Sequence, residues 1–197
     1  MNFGPAALCA AGPSLLAILN TMRPYSSLEE ALAGLEIPSD IRETLVLIDI
    51  KHLSFDGSIR NGQLVLHQDL AQETKAIFDF LTECRFPIQK VIPIVAYGWD
   101  DEASMQDNNT SAFNYRQIVA TNTLSSHSFG RAIDINPLQN PYFARDGKVY
   151  PEGSVYDPAV IGTITKDAEA VRLFKGYGWE WLGEREQNPD YQHFQKL

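Results

Sequence analysis

Two short segments hold the residues whose types and spacing can do chemistry. The first runs Ser125-Ser126-His127-Ser128-Phe129-Gly130-Arg131-Ala132-Ile133-Asp134-Ile135-Asn136. Read as a strand from Ala132, it puts Ala132, Asp134 and Asn136 on one face and Ile133 and Ile135 on the other. A carboxylate in the middle of an apolar strand costs several kcal/mol unless a cation or hydrogen-bond donors compensate it, so Asp134 calls for a positive partner. His127 stands seven positions earlier, across a bend at Gly130 that can return its imidazole to the same point. The second segment, Asp190-Tyr191-Gln192-His193-Phe194, sets a carboxylate three positions before a histidine, so that both side chains emerge on one side of a turn. His127, Asp134 and His193 together are a nitrogen, nitrogen, oxygen set with a fourth position free for water, the donor pattern of a catalytic rather than a structural Zn²⁺. Asp190 is then the candidate general base, which takes a proton from a water made acidic by the metal and returns it to a leaving amine.

These side chains need elements to hold them. Ser27-Leu28-Glu29-Glu30 has the form of a capping box, and Leu28, Ala31, Leu32 and Leu35 follow at helical spacing up to Pro38. Thr44 to Leu53 reads as a strand. Asp56-Gly57 and Asn61-Gly62 read as turns ahead of a second short strand at Leu64-Val65-Leu66. Leu70, Thr74, Ile77, Phe78 and Leu81 keep a 3.6-residue period and predict a helix from Asp69 to Arg85. Val91 to Ala96 reads as an edge or bulged strand because of Pro93. From Gly98 to Thr123 the chain turns polar and loses periodicity, which predicts a long functional loop. A short strand at Ala132 to Asn136, a helix from Asp167 to Lys175 closed by Gly176, and a mixed final segment complete the chain. Helices and antiparallel strands in separate runs predict an α+β fold, a small antiparallel sheet flanked by helices with one zinc site on the sheet.

Composition narrows the classes. The chain has 197 residues, 44% hydrophobic and 21% charged, enough for one core; residues 41–197 are expected to form the catalytic domain and residues 1–40 a helical extension packed on it. Sixteen Lys and Arg against 25 Asp and Glu give a net charge of -9, the wrong sign for nucleic acid or anionic lipid. Cys9 and Cys84 form neither a Cys-rich metal site nor a disulfide framework. The apolar stretch Gly4 to Met22 is broken by Pro5, Gly12 and Pro13 and has no basic residue before Arg23, so it reads as neither a signal peptide nor a membrane span, and the compartment is left open.

The pattern Ser-x-His-x-x-Gly-x-Ala-x-Asp from Ser125 to Asp134, with Asp-x-x-His-Phe from Asp190 to Phe194, resembles the M15 zinc peptidases. These enzymes hydrolyse peptidoglycan stem peptides as D-Ala-D-Ala carboxypeptidases, D,D-dipeptidases or L-alanyl-D-glutamate endopeptidases. The resemblance implies one Zn²⁺ per chain on His127, Asp134 and His193, with Asp190 as the base. Thr110-Ser111-Ala112-Phe113-Asn114-Tyr115-Arg116 looks like the family segment whose arginine meets the scissile carbonyl or a substrate carboxylate, a role that falls here to Arg116. Gly178-Trp179-Glu180-Trp181 resembles the family's Trp-x-Trp element. Ser125, Tyr115, Trp179 and Trp181 are accordingly expected beside a stem-peptide substrate, in a monomer. Two departures bear on specificity. Asp190 stands where the carboxypeptidase and dipeptidase branches have Glu, which tilts the resemblance toward the endopeptidases. Leu182-Gly183-Glu184-Arg185 replaces the Gly-Gly-x-Trp of related sequences.

Plainer readings stand beside these. Asp134 could be the buried partner of Arg131 or Arg116, Arg116 could make a surface salt bridge, and Trp179 and Trp181 could be core or pocket wall. Asp100 and Asp101 could sit on a solvated loop or hold a second cation, while His52 and His67 read as ordinary strand histidines. A zinc-containing wall-binding module without catalysis is the alternative from another functional class, and it would have no need of Asp190.

Overall fold

The structure is a computed structural model that describes residues 25–118 and 121–197; most of the expected N-terminal extension lies outside them. Its centre is an antiparallel hairpin of β1 (Leu45–Leu53) and β2 (Ile59–His67), in register from Leu45 opposite His67 to Leu53 opposite Ile59. Asp56-Gly57 turns the chain between them: Gly57 takes a φ of 81°, and Asp56 Oδ1 accepts from the Ser58 amide at 3.0 Å. Alternation along both strands sends Ile48, Ile50, Leu64 and Leu66 to one face, and Leu45, Leu47 and Val65 to the other.

The first face receives α3 (Ala71–Glu83), after two short helices, α1 (Leu28–Ala31) and α2 (Ser39–Arg42). The predicted stripe of α3 is the observed one, with Leu70, Thr74, Ile77, Phe78 and Leu81 all buried. The second face is covered by Ala31, Leu32, Ile41 and Phe113, with Tyr25, Leu28, Leu35 and Ile37 packed against them. Ser27 caps α1 through its hydroxyl, which accepts from the Glu30 amide at 3.2 Å.

Three expectations are corrected. Asn61-Gly62 is not a turn but lies within β2; a Cβ on Gly62 would come within 2.6 Å of Val91 Cβ, so the glycine serves a close approach of β3 (Lys90–Val91). The strand expected from Val91 to Ala96 stops at Val91, because Pro93 leads into a 3-10 turn over Ile94–Tyr97. The polar stretch after Gly98 is not a structureless loop. It holds α4 (Asp101–Gln106), capped by Asp100, and β4 (Asn109–Thr110), which pairs with β3 in parallel. Only Ser104 of α4 is buried, which is why no apolar period marked it.

The remaining strands form small sheets: β5 (Ala132–Asp134), β9 (His193–Gln195) and β8 (Glu180–Trp181) in the order β5-β9-β8, all antiparallel, and the hairpin of β6 (Tyr142–Phe143) with β7 (Val149–Tyr150). The last helix, α5 (Glu169–Gly176), takes in the Gly176 expected to close it. Gly178 rather than Gly176 takes the left-handed conformation, with Gly178 N–H donating to Lys175 O at 2.9 Å and Trp179 N–H to Phe174 O at 3.0 Å. That closure sets the Trp179 ring edge-on to Phe174, 5.4 Å between centroids, and starts the chain into β8. The result is one small domain of mixed helices and strands. No helix among the described residues is long and apolar enough to cross a membrane.

Candidate active site

In the β5-β9 ladder Asp134 stands directly opposite His193, and Ile133 opposite Phe194. Cross-strand partners share a face, so the ladder sends Ile133 and Phe194 into the core and brings Asp134 and His193 together on the other side. Ser111 flanks Asp134 on its free edge, with the two backbones exchanging hydrogen bonds at 2.9 and 3.1 Å. His127 arrives from the 3-10 turn Ser126–Phe129, opened by Ser125, whose hydroxyl accepts from the His127 amide at 3.3 Å, and closed by Gly130 at φ 64°. No other residue fits at Gly130, since a Cβ would lie 2.5 Å from His67 N and 2.7 Å from Leu66 C.

His127, Asp134 and His193 are all buried, and one ligand atom from each lies within 4.8 Å of the others. His127 Nε2 is 3.1 Å from Asp134 Oδ2 and 3.1 Å from His193 Nδ1, which is 3.0 Å from Asp134 Oδ1. The outer ring atoms set the protons. His127 Nδ1–H donates to the Ala112 carbonyl, which can only accept, so Nε2 presents a lone pair inward. On the other side Gln195 Nε2–H donates to Glu180 Oε2 at 2.7 Å, which leaves Gln195 Oε1 to accept from His193 Nε2–H at 3.2 Å. Ser126 Oγ also lies 3.3 Å from that nitrogen. His193 Nδ1 is therefore a second inward lone pair.

Two imidazole lone pairs and a carboxylate thus converge with no donor among them, an arrangement that repels itself until a cation enters. The spacing suits one. Two nitrogens on a tetrahedral ion at about 2.0–2.1 Å stand roughly 3.3 Å apart. Without a cation the site favours a proton in its place: burial pushes His193 down, yet the hydrogen bond and charge of Asp134 outweigh it and raise its pKa. Burial pushes Asp134 up, and the two histidines outweigh that, holding its carboxyl far below the usual carboxylate range.

Asp190 joins from the loop before β9, where its carbonyl accepts from the His193 amide at 3.3 Å and its backbone bridges Tyr142. Its Oδ1 is sealed from solvent without a hydrogen-bond partner. Burial pushes its carboxyl up to about 6; the charges of His193, His127 and Arg116 pull it down and that of Asp134 pushes it further up. Arg116 sits on a segment laced to the His127 turn: Arg116 N–H donates to Ser128 Oγ at 2.9 Å, Ser128 Oγ–H to Arg116 O at 2.7 Å, and Asn114 N–H to His127 O at 3.2 Å.

The plainer readings divide. Neither Arg131 nor Arg116 pairs with Asp134: Arg131 reaches Asp69 and Lys196 O, and Arg116 makes its salt bridge with Asp101 at 2.8 Å. Asp100 is a helix cap and Asp101 an ion-pair partner, so neither faces a second cation. His52 is buried with Nδ1 2.8 Å from Ile88 O, and His67 caps a turn. Ser125 lies under the His127 turn and Tyr115 packs against the second core cluster. Trp179 and Trp181 are core residues, each 3% exposed, with their indole N–H groups donating to Glu73 Oε1 at 2.7 Å and Tyr191 O at 2.9 Å. Sequence reasoning missed Ala112, Gln195 and Glu180, which orient the imidazoles, and no spacing signal could have found a backbone carbonyl.

Residues 119–196 match the family model described as D-alanyl-D-alanine carboxypeptidase, of the M15 peptidases. No curated protein and no solved structure matches the chain significantly. That matched segment contains His127, Asp134, Asp190 and His193, and over it the chain is similar to the M15 peptidases.

Proposed function

We propose that the protein is a zinc-dependent peptidase of bacterial peptidoglycan stem peptides, acting as an L-alanyl-D-glutamate endopeptidase. The observation that carries this reading is the meeting of two inward imidazole lone pairs with the Asp134 carboxylate, beside Asp190, whose Oδ1 is sealed and has no hydrogen-bond partner. Zn²⁺ suits the donor set of two neutral imidazoles and one carboxylate, and when bound it supplies Lewis acidity at the scissile carbonyl. Asp190 takes the proton of the attacking water as the water oxygen bonds to the carbonyl carbon. It then delivers that proton to the amide nitrogen, so that the C–N bond breaks to give a carboxylate and an amine. Arg116 offers a fixed cation to the oxyanion that develops between these steps. A protonated Asp190 cannot begin the sequence, and a carboxyl raised toward 6 is a stronger base at neutral pH than an ordinary aspartate.

Asp rather than Glu at position 190 favours the endopeptidase within the family. The description of the matching family model favours a second reading, a D-Ala-D-Ala carboxypeptidase. One substrate separates them: the synthetic stem pentapeptide L-Ala-γ-D-Glu-L-Lys-D-Ala-D-Ala, with mass spectrometry of the products with and without a chelator. Release of free L-Ala supports the endopeptidase and release of D-Ala the carboxypeptidase. Zinc binding without cleavage of this peptide or of purified sacculi would leave the binding module.

A further inference from the structure

Asp101 holds two side chains of the Arg116 segment at once. Its Oδ2 accepts from Arg116 Nη2 at 2.8 Å and its Oδ1 from Asn114 Nδ2 at 3.1 Å. Backbone bonds to the Ser125–Ser128 turn already fix where residue 116 leaves the chain, but they do not fix the end of a long, flexible side chain. Among the described residues, Asp101 is the only carboxylate that pairs with this guanidinium. With Nη2 engaged there, Arg116 Nε–H is sealed from solvent and has no hydrogen-bond partner, a donor left for something the protein itself does not supply. The pair is about 30% exposed on each side, too wet to matter much for stability, so its value lies in geometry.

We propose that Asp101 is a positioning residue: by gripping Nη2 it sets the Arg116 guanidinium so that the free Nε–H meets the substrate oxygen on which negative charge develops. This inference rests on the role of Arg116 in the peptidase reading. Its test is a double-mutant cycle on the stem pentapeptide and on purified sacculi, with Asp101→Ala, Asp101→Asn, Asp101→Glu, Arg116→Ala and the double variant Asp101→Ala/Arg116→Ala. Zinc content and melting temperature are measured for each.

Arg116→Ala is expected to lose about 10²- to 10³-fold in kcat with zinc retained. Asp101→Ala should lose about 10- to 100-fold in kcat, with KM changed only a few-fold, zinc retained and melting temperature nearly unchanged. Asp101→Asn should fall between Asp101→Ala and wild type, and Asp101→Glu should recover part of the rate. In the Arg116→Ala background Asp101→Ala should cost nothing further. An equal loss in that background would make Asp101 a merely structural residue, and wild-type activity in Asp101→Ala would overturn its role while leaving that of Arg116 intact. Wild-type activity in Arg116→Ala would overturn both. If no peptide is cleaved, the peptidase reading fails by itself. The positioning is then read from the Arg116 Nε–H resonance by ¹⁵N NMR, ordered in the wild type and motionally averaged in Asp101→Ala; an unchanged resonance would overturn it.

Discussion

Replacing Asp190 with Asn should make the metal-free protein more stable while it destroys activity. The sealed Oδ1 has no partner, and burial raises the carboxyl from 3.8 to about 6. At about 1.4 kcal/mol per pKa unit, keeping this group charged costs the folded state at most about 3 kcal/mol. Asp190 as a whole is partly exposed, so solvent screening reduces this to about 1–2 kcal/mol. The folded-state value lies above the unfolded one. The favourable state of the group is therefore the protonated one, fully present below pH 3.8 and lost as the pH rises through about 6. Above that pH the wild type carries the penalty and Asp190→Asn does not. For a chain of this size the difference corresponds to a melting temperature higher by about 2–8 °C in the variant at pH 8, shrinking toward zero at pH 3. Differential scanning calorimetry with a chelator present measures it, and turnover of the stem pentapeptide with zinc restored should show a loss of about 10²- to 10⁴-fold. A variant less stable than wild type at pH 8, or shifted equally at pH 3 and pH 8, would refute the burial argument, and retained turnover would remove Asp190 from the chemistry.

Elemental analysis of protein purified without added metal should find about one Zn²⁺ per chain, and His127→Ala and His193→Ala less than a tenth of that; a metal-free wild type that takes up no zinc would sink the site. Gln195→Leu removes the acceptor that holds the His193 proton on Nε2 and should weaken zinc affinity by about 10- to 100-fold in a chelator competition, with little change in melting temperature of the metal-free protein. Gly130→Ala forces a Cβ into the β2 backbone at a positive φ, so it should destabilise the fold by about 2 kcal/mol or more in urea titration and lose zinc with it.

The candidate ligands were legible because their chemistry is local. A carboxylate set among isoleucines, a glycine at a forced bend and a carboxylate three residues before a histidine each carry a cost or a geometry that a few neighbouring residues reveal. The α3 stripe was legible for the same reason, since a helix buries one face at a fixed period. Gly62 was misread because a glycine that admits a neighbouring strand looks, in one dimension, like a glycine that turns the chain. α4 was missed because it buries a single serine and leaves no periodic trace. That Trp179 and Trp181 give their indole N–H groups to Glu73 and to Tyr191 O was not legible, because both partners are distant or backbone groups.

From the sequence alone came the identity of the candidate donors, His127, Asp134 and His193, and of the carboxylate proposed as their base, because residue type and near spacing limit what a segment can do. Tertiary structure decided how those donors meet. Only the pairing of β5 with β9 sets Asp134 opposite His193 across 59 positions of chain. The Ala112 carbonyl and the Glu180-Gln195 pair choose which nitrogen of each imidazole faces inward, and Asp101 claims one edge of Arg116. These contacts join residues whose separation in the chain has no period and no motif. Their free energies arise from burial and hydrogen bonding that exist only once the sheets have closed.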